Sequence, residues 1–277
     1  MKHILLLTDF SKSSKNAMQY AVRLFEQDLC TFYVLHVANA LEYTTDDLML
    51  AGNKSIYNIL VKKAKQKLTK LVSVIKVEHE NGKHSFETIV DFDVFTDSVN
   101  QVVKAKNIDL IVMGTNGVTG AKEVIFGSNT INIIRNVACS TLVIPEGFGY
   151  RQPKQLFLPL DANDTMKGKD FDELMTLVKT YNLTMHVLRI KPTARKLKAE
   201  ASDINVFEHV LKDKKHQYHK VSAVPMHYVV DCYLQTNPVD IMALLVQKER
   251  FFERFFIGST TAQISNKVIV PLLVLHS

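Results

Sequence analysis

Cysteine is scarce in this 277-residue chain: Cys30, Cys139 and Cys232 are the whole complement. An odd number of widely spaced thiols argues against a disulfide framework, and no two have the spacing of zinc ligands. All three fall in segments patterned as strand or helix interior, so buried, reduced thiols are expected. Long apolar runs are also missing. None approaches the ~20 residues of a membrane helix, and the opening His3–Leu7 run stops at Thr8-Asp9, too soon for a signal peptide. A cytoplasmic protein without a membrane partner is therefore the expectation.

One-signed charge is lacking too. The 34 Lys and Arg are interleaved with 28 Asp and Glu, leaving a formal charge of +6. The densest basic stretch, Lys212 to Lys220, reads as a solvated turn or helix end, because a nucleic-acid surface needs more clustering and stacking aromatics. No nucleophile–base pair, paired carboxylate or metal-ligand cluster stands at a recognisable spacing, and the ten histidines are dispersed. Neither a catalytic set nor a resident metal site is assigned.

What the chain does have is an internal repeat. His3-Ile-Leu-Leu-Leu-Thr-Asp9 is echoed by Gln155-Leu-Phe-Leu-Pro-Leu-Asp161, Thr31–Val37 by Thr184–Ile190, and Ser140–Pro145 by Pro271–His276. Pairing Asp9 with Asp161 gives an offset of 161 − 9 = 152, whereas pairing Gly127 with Gly258 gives 258 − 127 = 131. The second copy is thus about 21 residues shorter, and the deficit is assigned to the segment after the second strand. The linker is Gly147–Pro153, which separates a first domain at 1–147 from a second at 153–277.

Within each copy, short apolar strands alternate with amphipathic helix patterns such as Ala17, Ala21, Leu24 and Val99, Val102, Val103. This order predicts an α/β fold with a parallel, helix-covered sheet in each of two tandem domains. Ligands of such sheets collect beyond the carboxyl ends of the strands, where Asp9, Val37 and Gly114 fall.

Four of the ten glycines, Gly114, Gly117, Gly120 and Gly127, crowd into fourteen residues. They follow the buried-strand pattern Ile108–Met113 and precede a helix that starts at Ser128, read as its N-cap. Strand, glycine loop and helix N-terminus together suit a phosphate, because amide N–H groups and the helix dipole converge on the anion. The chain has no Walker Gly-Lys-Ser/Thr and no Gly-x-Gly-x-x-Gly after its first strand, which argues against those two phosphate loops.

The spacing Gly114-x2-Gly117-x9-Gly127-Ser128 resembles the nucleotide-binding motif of the universal stress protein family, in its ATP-binding branch. Thr8-Asp9-Phe10-Ser11, Asp109–Gly114 and Cys139–Pro145 extend the resemblance over most of the first half. One departure is Asp91-Phe-Asp-Val-Phe95, where many members carry a glycine.

The resemblance implies five-stranded sheets that pair through their last strands, Thr141–Ile144 beside Leu272–Leu275, as an intramolecular pseudo-dimer. It implies ATP, or ADP or AMP in its place, with Mg2+ held through the phosphates. Leu7, Thr8 and Asp9 would meet the adenosine, with Val37 beside the adenine and Met113 at the loop entrance. Gly114, Asn116, Gly117, Gly127, Ser128, Asn129 and Thr130 would surround the ribose and phosphates.

In the second copy, Leu245 and Lys248 stand where Gly114 and Gly117 stand in the first (114 + 131 and 117 + 131). One nucleotide per chain is expected, in the first half. The leading functional expectation is a nucleotide-binding module that acts in stress response or signalling through an unknown protein partner. A slow ATPase or phosphotransferase with Asp9 orienting water, and a nucleotide-free scaffold, are the alternatives. A homodimer of chains is also compatible with the sequence.

Overall fold

The computed structural model describes residues 1–38, 55–115, 127–162, 164–191, 198–212, 215–246 and 269–276. The described residues form two compact units: Met1–Thr115 with Gly127–Cys139, and the chain from Ser140 onward. Both are α/β.

Unit 1 holds β1 (Lys2–Leu7), α1 (Lys12–Leu24), β2 (Cys30–Val37), α2 (Ser55–Glu78), β3 (His84–Asp91), α3 (Phe95–Lys106), β4 (Leu110–Gly114) and α4 (Ser128–Asn136). Its strand order is β3-β2-β1-β4. All three pairings are parallel, as consecutive β-α units require. The strands are covered on their faces, so Ile4, Leu5, Leu6, Phe32, Val34, Ile111 and Val112 are fully buried and read as apolar runs rather than alternation. The helices lay down the faces predicted for them, with Ala17, Ala21 and Leu24 buried on α1 and Val99 and Val102 on α3.

The first unit's strand order reverses between β1 and β4. Their register, Leu6 opposite Val112, carries forward to set Thr8 level with Gly114. In open α/β sheets such a switch point is where a ligand crevice forms, beyond the carboxyl ends of the two strands.

Unit 2 holds β5 (Thr141–Ile144), β6 (Gln155–Leu160), α5 (Lys169–Thr180), β7 (Thr184–Lys191), α6 (Lys198–His209), β8 (His216–Ser222), α7 (Met226–Thr236), β9 (Ile241–Val246) and β10 (Leu272–His276). Its order is β5-β10-β9-β6-β7-β8. The expected pairing of the two closing strands is present and antiparallel, Val143 opposite Leu272 and Thr141 opposite Val274. By packing, therefore, the strand that closes the first repeat is counted with the second unit, while each repeat contributes the expected five strands, β1–β5 and β6–β10. Burial explains the placement: all four β5 residues are buried, and the pairing supplies β10 with a partner on its open edge.

The length deficit lies where the offsets put it. The helix between the second and third strands has 24 residues in unit 1 and 12 in unit 2. At Asp91–Phe95, where a glycine was expected from the family pattern, no residue has a positive φ. The turn closes instead through Asp91 and Asp93, whose carboxylates accept from the N–H of Phe92 and of Val94, both at 2.7 Å. Cys30 and Cys139 are buried free thiols as expected, but Cys232 is exposed. It lies between buried Val229, Val230 and Leu234 in chain order, yet on the opposite side of α7.

Candidate nucleotide site

Every described residue of the predicted site belongs to unit 1: Leu7, Thr8, Val37, Met113 and Gly114 stand at the carboxyl ends of β1, β2 and β4, Asp9 follows β1, and Gly127–Thr130 open α4. Leu7 and Thr8 end β1 and are buried, and Asp9 beyond them is exposed. The turn into α1 is tied by short side chains. Thr8 Oγ1 accepts from the N–H of Phe10 at 3.0 Å and lies 3.1 Å from Ser14 Oγ. An Asp9 carboxylate oxygen accepts from the N–H of Ser11 at 3.0 Å, and Ser11 caps α1 by accepting from the N–H of Ser14 at 3.1 Å. Asp9 thus braces the turn and does not cap the helix.

Phe10 takes φ +65°, a left-handed conformation uncommon for a residue with a Cβ. Its ring centroid lies 4.4 Å from that of His36, and Lys67 Nζ sits 5.7 Å from the Phe10 ring centroid. His36 is buried in β2 and bonds the Thr8 carbonyl through Nδ1 at 2.9 Å; a carbonyl only accepts, so Nδ1 carries the proton. Val37, the next residue, ends β2 opposite Asp91 and is partly exposed toward the crevice end of the sheet.

At the end of β4, Met113 is buried. A Cβ added to Gly114 would lie 2.6 Å from the Ser13 carbonyl oxygen and 2.7 Å from its carbon. Glycine is therefore required at 114 by the helix packed against it, whatever the ligand. The contact is reinforced by Ser13, whose hydroxyl donates to the Thr115 carbonyl at 2.5 Å. Thr115 is buried, and its own hydroxyl has no partner among the described residues. Asn116 and Gly117 lie outside the described residues, as does Gly120.

Gly127 behaves differently from Gly114. Its φ of −65° suits any residue, and a Cβ there would meet nothing within 4 Å. It is also the N-cap of α4, correcting the expectation that Ser128 holds that position. Ser128 is the first helical residue, and the N-cap glycine has no side chain with which to cap the helix. Ser128 and Asn129 are exposed and Thr130 is buried. The first-turn amides at the positive end of the helix dipole thus take no bond from the N-cap residue's side chain, and a Cβ on that residue would enter open space.

The corresponding strand ends of unit 2 are built around a charge that sequence reasoning passed over. Arg189 aligns with His36 in the strand repeat and is fully buried. Its Nε and Nη2 donate to the Asp203 carboxylate at 2.9 and 2.6 Å, and Nη1 donates to the carbonyls of Asp161 and Asp164. Tyr218 donates to Asp203 at 2.7 Å, and burial together with that carboxylate pushes its phenol well above the ordinary range. The guanidinium draws the β6–α5 segment inward by its carbonyls. A lone arginine in the apolar run Met185–Ile190 was the available signal. Leu245, in Gly114's place, is buried, while Lys248 and the Phe251–Phe256 stretch fall outside the described residues.

An open, helix-covered parallel sheet whose strand order reverses at a switch point defines the doubly wound α/β class of folds. Within that class the assignment is specific: residues 1–145 match the Universal stress protein family, and the chain belongs to it. Universal stress protein MJ0577 of Methanocaldococcus jannaschii is 28% identical over 156 residues, covering 52% of this chain and 94% of the relative. Universal stress protein MJ0531 of the same organism is 27% identical over 143 residues, covering 52% and 81%. Both halves are accounted for at the level of fold by a universal stress protein from Archaeoglobus fulgidus, with a TM-score of 0.70 at 15% identity, covering 99% of this chain and 96% of that one. Among the described residues no helix is long and apolar enough to cross a membrane.

Proposed function

We propose that unit 1 binds ATP, with ADP or AMP able to take the same crevice, and that the occupied and empty forms present different surfaces to a protein partner in a cytoplasmic stress response or signalling pathway. The observation that carries this reading is Gly127. Neither backbone conformation nor packing demands a glycine there, so the missing side chain leaves room at an uncapped helix N-terminus for a phosphate. The Thr115 hydroxyl, buried at the end of β4, adds a donor without an acceptor among the described residues.

In this reading Leu7, Thr8 and Val37 form the adenosine end and Met113 closes the loop entrance. Gly127, Ser128, Asn129 and Thr130 hold the phosphates, with Asn116 and Gly117 completing the loop. Mg2+ is held chiefly by phosphate oxygens and water. Thr8 acts through the turn, since its hydroxyl is engaged by Phe10 and Ser14, and it presents Asp9 to the crevice.

Mass spectrometry of small molecules released from the purified protein, paired with ATP titration, tests the proposal. Adenine nucleotide in the extract, or a saturable ATP-dependent thermal shift, supports it. Neither signal would leave the crevice as scaffold alone. Multiple-turnover hydrolysis that disappears in Asp9→Asn with binding retained would turn the assignment toward phosphoryl transfer.

A further inference from the structure

We infer that the outward face of α2 docks an acidic polypeptide segment of a partner protein. The inference rests on the partner-binding reading above and supplies the partner's chemistry. Helix α2 carries six lysines and one acid, Glu78, over its 24 residues. It lies on unit 1 through Ala64, Leu68, Val72 and Ile75, all buried and spaced at helical intervals. The opposite face holds an open groove of about 590 Å3 whose described lining includes Lys62, Lys65, Gln66, Thr69, Lys70 and Ser73.

Five of the six lysines of this helix divide into two sets. Lys67 and Lys76 lie over the Phe10 and Phe86 rings, at 5.7 and 5.6 Å. Lys62, Lys65 and Lys70 have no ion-pair partner among the described residues, and all three line the groove. The hydroxyls of Thr69 and Ser73 bond back to the carbonyls of Lys65 and Thr69, at 2.9 and 2.8 Å, so the groove presents chiefly cationic donors. Exposed Val74 and Val77 continue the stripe toward the helix end and offer apolar contact beside the charge.

Charge complementarity selects the occupant. A second copy would bring the same basic face and a net charge of +6. Residues 61–78 contain no aromatic side chain for stacking bases or anchoring in a lipid interface, which leaves carboxylates on a polypeptide as the matching chemistry.

The test uses the full chain and fluorescein-labelled oligoglutamate, followed by fluorescence polarisation at low and physiological salt. The triple variant Lys62→Gln/Lys65→Gln/Lys70→Gln is expected to bind the probe about tenfold more weakly, as the loss of three modest ion pairs predicts. A charge-matched control, Lys169→Gln/Lys179→Gln/Lys215→Gln, should keep wild-type affinity. Circular dichroism verifies the fold of both variants, and ATP-dependent thermal shift is read in parallel. An unchanged ATP shift with lost probe binding supports the docking face, whereas a missing ATP shift in the wild type bears on the nucleotide reading alone. Equal probe binding by wild type and the α2 variant, equal loss in the control, or tighter binding of oligo-dT or phosphatidylserine vesicles through the same lysines would overturn it.

Discussion

Gly127→Ser and Gly114→Ala separate a glycine kept for a ligand from one kept for packing. At 114 the new methyl meets Ser13 backbone atoms at 2.6 and 2.7 Å, well inside van der Waals contact. Because that backbone belongs to α1, the helix itself must move. Overpacking of this kind costs about 1–3 kcal/mol. At 127 the side chain enters open space, φ is −65°, and serine is a preferred N-cap, so stability should stay within about 0.5 kcal/mol of wild type.

Nucleotide affinity should fall in Gly127→Ser, whose side chain occupies the space and whose hydroxyl competes for the helix amides. A tenfold loss corresponds to about 1.4 kcal/mol. Urea denaturation monitored by circular dichroism measures the first quantity, and isothermal titration with Mg-ATP the second. Wild-type ATP affinity in Gly127→Ser would refute the reasoning. So would a destabilisation equal to that of Gly114→Ala.

Removing one member of the buried ion pair, by Arg189→Met or Asp203→Asn, should cost about 3–5 kcal/mol in urea denaturation, because an uncompensated charge or donor remains inside. The double variant Arg189→Met/Asp203→Leu should recover much of that loss. Burial, aided by His219 in the first case, lowers the pKa values of His186 and His276 below 6.5, so the unfolded chain takes up protons first. Stability is therefore full above pH 6.5 and falls as pH drops below it, by at most about 1.4 kcal/mol per pH unit for each histidine. His186→Gln should flatten the decline. Burial and Asp28 push the Cys30 thiol up to about 11, while Cys232 is exposed. Alkylation of the native protein followed by mass spectrometry should modify Cys232 rapidly and spare Cys30 and Cys139.

The β-α alternation was legible because buried parallel strands read as apolar runs and the helices repeat on a different period. His3–Leu7, Thr31–Val37 and the shorter connector of the second copy could all be placed that way. The reason for Gly114 was not legible, since Ser13 is about a hundred residues away and only the fold brings its backbone near. The cap of α4 was displaced by one residue, as helix ends are set by backbone conformation that Gly127 and Ser128 both tolerate. Arg189 was missed because a charge inside a strand announces no partner: Asp203 comes from the next helix and Tyr218 from the strand beyond. Cys232 looked internal from apolar neighbours that occupy the other side of its helix. The pairing of β5 with a strand some 130 residues later was reached through the repeat and the family resemblance, since no local pattern carries it.

That pairing bears on how the protein can be cut. A break in the Gly147–Pro153 connection would separate Thr141–Ile144 from the chain that contains Leu272–His276. The carboxy-terminal fragment would then display a bare row of amides and carbonyls, and the amino-terminal fragment would carry a sticky four-residue tail. Expressed apart, the pieces should re-associate or self-associate along those severed borders, so the repeat seen in the sequence does not mark two independently soluble products.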